Sequence, residues 1–361
     1  MANSLLTGFP GFIGKRLVRK LLADDPELKI VALVEPRMTE PARAAAAEID
    51  PDRIEIVVGD IAERRLGLGD DDYERLRAEV RHVFHLAAIY SLDVPLEIAQ
   101  RVNVDGTGNV VQFCADAENL ERHVYISTAY VAGKRTGVVY EHELVMGQAF
   151  KNHYESTKFQ AEVWVKESLD RIPTTILRPA IVVGDSQTGE TQKFDGPYFI
   201  LRAISAAEKA GRPITQFGRA DAPFNVVPVD YIVNAIAAAA TAEEAVGETL
   251  HLVDPEPLSA RELTETLSME YAGKPPRGRI PPRLAAASLR VPAVRNMLGG
   301  TPRESIAYLN HPVRFDTRRA VEVLGPYGLR PPNFREYAPA MVKFFREHED
   351  DPALVPAAPR G

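Results

Sequence analysis

Short apolar runs alternate with amphipathic stretches through the first half of the chain. Ser4–Thr7, Lys29–Val34, Ile54–Val58, His82–Leu86, His123–Ser127 and Thr174–Leu177 read as strands. Between them, segments such as Lys15–Leu22 and Asn109–Ala117 repeat their apolar residues every three or four positions, the spacing of a helix face. A βα repeat of this kind predicts an α/β fold, a Rossmann-type doubly wound parallel sheet. Right-handed crossovers then leave a crevice at the carboxyl ends of the strands, so function is to be sought in the loops after each strand. Past Gly184 the alternation fails, and Pro275–Pro282 and Arg330–Asn333 are too proline-rich for continuous helix. We expect a dinucleotide-binding domain over 1–185, with core strands and helices returning around 225–255. A smaller, mainly helical substrate-binding cap follows over most of 186–348, then a loosely held tail over 349–361.

Composition narrows the class. With 45% hydrophobic and 26% charged residues the 361-residue chain is an ordinary globule. Its net charge of -7 offers no field for a nucleic acid. The single cysteine, Cys114, can form neither an internal disulfide nor a cysteine metal cluster, and the histidines show no metal-ligand spacing, so we expect no metal site. Ser4-Leu5-Leu6 is interrupted at once by Gly8, Pro10 and Gly11, and no apolar run approaches the roughly 18 residues of a membrane span. The expected setting is cytoplasmic, with no integral membrane segment; whether the chain forms a homodimer is left open.

Candidate chemistry begins where the first strand ends. Thr7-Gly8-Phe9-Pro10-Gly11-Phe12-Ile13-Gly14 spaces three glycines as G-x-x-G-x-x-G, a departure from G-x-G-x-x-G. Glycines there permit a tight turn and close backbone approach to a pyrophosphate, while the following helix offers free N–H groups to the anion. The alternative is a merely structural turn. About 20 residues on, at the end of the second strand, Glu35 can bind the adenosine ribose hydroxyls, or it is a solvated strand end. Arg37 could hold a 2'-phosphate instead. The cofactor is therefore NAD(P), with Glu35 favouring NAD. Tyr154 and Lys158 stand four apart on one helix face, and a nearby ammonium would favour the phenolate; a Tyr/Lys pair at this spacing is also common in plain helices. Ser127-Thr128 would lie at the rim of the same crevice.

Taken in order, these residues resemble the extended short-chain dehydrogenase/reductase superfamily, NAD-dependent epimerase/dehydratase-like. Matching features are the Thr7–Gly14 turn, Gly59-Asp60-Ile61, His85-Leu86-Ala87-Ala88, Asn103 to Thr107, Ser127-Thr128, Tyr154 with Lys158, and Arg178-Pro179-Ala180. Within it, the turn, Leu33 to Arg37 and Ser127 to Val131 look like fatty acyl-CoA reductases and thioester reductase domains of carboxylic acid reductases. The resemblance implies Tyr154 as general acid/base, Lys158 holding the nicotinamide ribose and lowering the tyrosine pKa, and Thr128 bonding the substrate oxygen, with Ser127 beside the cofactor. It implies Asp60 and Ile61 at the adenine, Leu86, Ala87 and Ala88 along the cofactor, and Pro179, Ala180 and Ile181 by the carboxamide. Asn103 is a cofactor residue or a helix cap. His85 reads as packed rather than catalytic, His153 as an exposed helix residue, and Asp230 as a helix cap. Glu35 stands where such reductases often carry an arginine, which puts NADP in doubt.

The expected activity is hydride transfer to or from a carbonyl, thioester or alcohol carbon of a hydrophobic small molecule, with an acyl thioester on a carrier as one form. The alternatives are a nucleotide-sugar epimerase or dehydratase and, outside enzymes, an NAD(P)-sensing protein, which would have no need of Thr128, Tyr154 and Lys158 together. The polar loop Gly184–Gly196 closes over substrate or is a plain surface loop. The apolar stretch Ile280, Leu284, Leu289, Val291, Val294, Met297 and Leu298, punctuated by Arg283, Arg290 and Arg295, walls a substrate pocket or packs as core.

Overall fold

Strands covered by helices on both faces must be apolar on both faces, and the predicted runs are. The computed structural model describes residues 3–90, 94–217, 221–280 and 305–355. The chain runs β1 (Asn3–Thr7), α1 (Phe12–Asp24), β2 (Lys29–Val34), α2 (Thr39–Ile49), β3 (Ile54–Val58), α3 (Asp70–Glu79) and β4 (Val80–His85). It continues through α4 (Leu96–Ala99), a π-turn over Gln100–Asp105, α5 (Gly106–Asp116), β5 (Arg122–Ile126), β6 (Gly137–Val139) and α6 (His153–Lys166). Next come β7 (Thr174–Pro179), β8 (Ile181–Val183), α7 (Tyr198–Lys209), β9 (Gln216–Phe217), β10 (Val226–Pro228), α8 (Val229–Thr241), β11 (Thr249–Leu252), α9 (Ala260–Ala272) and β12 (Arg279–Ile280). α10 (Ser305–Leu309), β13 (Val313–Phe315), α11 (Arg318–Leu324) and α12 (Phe334–His348) complete it. All six expected strands form, the fourth and fifth ending one residue early, so Ser127 lies just past its strand rather than in it.

Seven strands make one parallel sheet in the order β11-β7-β5-β4-β1-β2-β3. This is the Rossmann-type doubly wound arrangement, reversing direction between β1 and β4. At that reversal Thr7 stands opposite His85, one at the end of each strand. Alternation along a strand feeds two cores: Leu6 and Ile30 pack with Leu17, Val18, Ile232 and Ile236 of α1 and α8. Leu5 and Val31 face the other way, onto Tyr73, Leu76, Val110 and Phe113 of α3 and α5.

A third core lies off the sheet, where α7, α9 and α12 enclose Phe194, Tyr198, Leu263 and Phe345. The loop from Gly184 to Gly196 belongs to it. A Cβ on Gly189 would sit 2.2 Å from the Ala340 carbonyl of α12, Phe194 is fully buried, and Arg16 of α1 pairs with Glu190 at 3.0 Å. The loop is wedged between sheet and cap, not a free lid or a bare surface loop. Beyond α12, Glu349 accepts from Ser205 and Lys209, and Leu354 O accepts from Phe194 N–H at 2.7 Å. The apolar stretch Leu284 to Leu298 and its three arginines lie outside the described residues. Among the described residues no helix is long and apolar enough to cross a membrane.

Candidate active site

The glycine turn at the end of β1 is shaped by contact with the end of β4. Gly8 has φ of +91°, and a Cβ there would lie 2.9 Å from Ala87 N. A Cβ on Gly14 would lie 2.6 Å from Gly8 O, so only glycine lets α1 close onto the turn. Gly11 caps α1 with no side chain, and no acid occupies the first turn. The helix N-terminus thus keeps N–H groups and a positive dipole end for a pyrophosphate. Phe9 is buried beneath the turn, while Pro10, Phe12 and Ile13 stay partly exposed around it.

A neutral polar bridge fixes that turn to the sheet. Thr7 Oγ1 accepts from Ala87 N–H at 3.2 Å and bonds His85 Nδ1 at 2.8 Å, and His85 Nε2 bonds Thr107 Oγ1 at 3.0 Å. Burial first, then the charge of Lys158, holds His85 well below the ordinary histidine value, so its ring bridges two hydroxyls as a neutral imidazole. His85 is a packed strut.

Other expected cofactor positions cluster along the same edge. Glu35 follows β2, its carboxylate taken by Arg37 Nε at 2.6 Å, so neither acts as the isolated group the sequence suggested. Asp60 Oδ1 accepts from Ala62 N–H at 2.9 Å, and the Ile61 carbonyl accepts from Asn109 Nδ2 at 2.8 Å, bracing the loop after β3. Leu86, Ala87 and Ala88 follow β4, with Leu86 and Ala87 against Gly8. Pro179 ends β7, Ala180 is buried, and Ile181 begins β8. Two cap assignments are corrected. Asn103 lies inside the π-turn, where its amide bonds the Ile89 backbone and Thr157 instead of a helix end. Asp230 is in the first turn of α8 behind Pro228 and holds Ser186 N–H and hydroxyl at 2.8 and 2.7 Å.

Helix α6 carries the Tyr/Lys pair. Asn152 caps it by accepting from Glu155 N–H at 2.9 Å, and Glu155, fully buried, pairs with Lys151 at 3.0 Å. Tyr154 follows the exposed His153 in the first turn and is partly buried. Burial pushes its phenol above the usual tyrosine value, the neighbouring Thr128 hydroxyl opposing and Glu155 reinforcing. Thr128 is 5% exposed, accepts from Tyr130 N–H at 3.3 Å and points its hydroxyl toward Pro179 O at 3.5 Å. One turn along α6, Lys158 donates to Ile126 O at 2.7 Å and lies 4.4 Å from the Tyr125 ring centroid. Burial pushes its ammonium down to about 7 against the opposing pull of Glu162. The cation expected to lower the tyrosine is thus anchored under β5, and burial dominates at the phenol.

Sequence reasoning missed what lies behind Ser127. Its hydroxyl donates to Glu162 Oε2 at 2.5 Å, and Glu162 is held by Arg178 at 2.5 and 3.0 Å, both side chains essentially unexposed. Arg178 also donates to Glu141 O, Glu143 O and His251 Nε2. His251 Nδ1 faces the Asp316 carbonyl at 2.7 Å; a carbonyl can only accept, so Nε2 is the free acceptor Arg178 needs. The signal was available: Glu162 follows Lys158 by four on one helix face. Among the described residues no group of three or more His, Cys, Asp or Glu could hold a metal.

A glycine turn at the sheet reversal, with Thr128 after β5 and Tyr154 and Lys158 on α6, is the arrangement in which the sequence resembles the extended short-chain dehydrogenase/reductase type. Residues 6–236 match the family model described as Male sterility protein, an NAD-binding domain, and the chain belongs to that family. It is 29% identical over 278 residues to fatty acyl-CoA reductase wat of Drosophila melanogaster, the match spanning 65% of this chain and 53% of that protein. Among solved structures, the terminal R domain from the myxalamid PKS-NRPS biosynthetic pathway superposes with a TM-score of 0.79 at 24% identity, covering 98% of this chain and 92% of that one. UDP-glucuronic acid 4-epimerase from Bacillus cereus, in complex with NAD, gives 0.66 at 19% identity, with 96% and 99% covered. At these identities the structures speak to the fold.

Proposed function

We propose that the protein reduces an acyl thioester, carried on coenzyme A or on a carrier protein, with Tyr154 as the proton donor. The observation that carries this is the pairing of Thr128 and Tyr154 hydroxyls at the carboxyl edge of the sheet, where burial further disfavours the phenolate. A bound nicotinamide supplies the hydride. The turn from Thr7 to Gly14 would hold its pyrophosphate, and the fit is supported by the uncapped α1 N-terminus and the glycines that no Cβ could replace. As hydride reaches the carbonyl carbon, charge grows on the oxygen. Tyr154 donates its proton there and Thr128 adds a second hydrogen bond. The hemithioacetal so formed breaks its C–S bond to give aldehyde and thiol. Lys158, anchored on Ile126 O, stands one turn behind the phenol where it can hold the nicotinamide ribose and replace the proton lost.

For the cofactor, the Glu35 carboxylate suits ribose hydroxyls and repels a 2'-phosphate, and its bond to Arg37 Nε holds a guanidinium that would favour NADP beside a compensating negative charge. We therefore assign NAD(H) as preferred. Following NADH and NADPH absorbance with fatty acyl-CoAs, aldehydes, ketones and nucleotide sugars tests both assignments. Oxidation of NADH by acyl-CoAs is expected; no NADH oxidation with any acyl-CoA, together with epimerised or dehydrated nucleotide sugar found by chromatography, would replace this reading with epimerase chemistry, which returns its hydride and leaves the absorbance unchanged. NADPH preference that disappears in Arg37→Ala would show that the arginine, not the acid, selects the cofactor.

A further inference from the structure

Past Ala88 the backbone of residue 89 is tied down at both its N–H and its carbonyl. Asn103 Oδ1 accepts from Ile89 N–H at 2.8 Å, and Nδ2 donates to Ile89 O at 3.3 Å and to Thr157 Oγ1 at 3.1 Å. Thr157 sits between Tyr154 and Lys158 on α6, so one amide, 1% exposed, fastens residue 89 to the helix bearing both. That amide stands in the π-turn Gln100–Asp105, a rare irregularity that is frequent at functional sites. What the tether places is Tyr90. Its ring meets the Tyr154 ring edge-on, centroids 5.0 Å apart at 86°. Burial, and after it the charge of Asp195, holds the Tyr90 phenol well above the usual tyrosine value. Yet half of Tyr90 is exposed, as are Leu96 and Ile98 in the same connection. A ring needed only for packing would be covered. This one stands edge-on to Tyr154 with half its surface open.

We propose that Tyr90 is a specificity-determining wall of the cleft, its ring covering the Tyr154 phenol and contacting the first methylenes of the acyl group. The inference rests on the thioester reading above. Two methylenes lifted off an aromatic face weaken recognition about tenfold at the usual scale of apolar burial. The test compares wild type, Tyr90→Phe and Tyr90→Ala on acetyl-, butanoyl- and octanoyl-CoA. Readouts are kcat/KM and calorimetric binding to the cofactor-free protein. In Tyr90→Ala, butanoyl- and octanoyl-CoA should lose about tenfold in both, acetyl-CoA less than about twofold, and the melting temperature should move by less than about 2 °C. Tyr90→Phe should keep the wild-type profile. Equal losses on all three substrates, or no change on any, would overturn the inference while leaving the thioester reading intact. A wild type inert toward every acyl-CoA would remove that reading, and the inference with it.

Discussion

Two buried polar networks flank the crevice, and they are built on opposite electrostatic principles. On the cofactor side Thr7, His85 and Thr107 form a neutral bridge in which burial keeps the imidazole uncharged. On the catalytic side Ser127, Glu162, Arg178 and His251 form a charged one, with an ion pair almost wholly removed from water. Both place a backbone turn, one the glycine turn Thr7–Gly14 proposed to hold the pyrophosphate and one beside Thr128. The difference lies in what happens when a member is lost. A neutral bridge leaves an unsatisfied hydroxyl; a charged one leaves an uncompensated ion.

The largest expected effect is therefore on the charged side. Arg178→Met strands Glu162 and should cost about 3–5 kcal/mol in urea unfolding. The double variant Glu162→Leu with Arg178→Met, which removes both charges, should recover most of that loss. A double variant as unstable as the single one would show that packing, not charge, holds this side together.

Next in size is the pH response of Lys158. Its folded value of about 7 lies below the ordinary lysine value of 10.5, so between those limits the unfolded chain binds more protons, and stability due to this residue rises with pH. Lys158→Met should stabilise the cofactor-free protein at pH 6 by on the order of a few kcal/mol, an advantage that fades toward pH 10.5. An advantage independent of pH would mean the lysine is not titrating in this window.

The neutral side should yield the smallest change: His85→Ala is expected to cost about 1–3 kcal/mol, the scale of buried groups left without partners. Weakened cofactor binding should accompany it, because Thr7 shares its hydroxyl between His85 and Ala87 of the turn. A loss as large as that of Arg178→Met would erase the contrast between the two networks.

Legibility followed the same division. The strands, the glycine turn and the Tyr154/Lys158 pair could be read because each depends on local spacing: unbroken apolar runs, Gly8 at positive φ, a four-residue helical interval. His85 could also be read as packed, since a strand-end histidine between apolar neighbours has few other roles. The Glu162–Arg178 pair spans 16 residues and joins a helix to a strand, so only the fold brings it together. Asp230 was misread as a cap, and the cap alternative left open for Asn103 fails, because a cap and an interior tether use the same side chains; what separates them is a distant partner, Ser186 in one case and Thr157 in the other. Arg37 could not be resolved from Glu35 by sequence because their relation is a side-chain contact two residues apart.

The central claim is that Tyr154 donates the proton to the thioester oxygen. Turnover of NADH with octanoyl-CoA by Tyr154→Phe, set beside cofactor affinity from fluorescence titration, tests it most directly. The account predicts a fall in kcat of about a hundredfold or more, the usual scale for a general acid, with cofactor affinity and melting temperature unchanged. Near-normal turnover in that variant would contradict it.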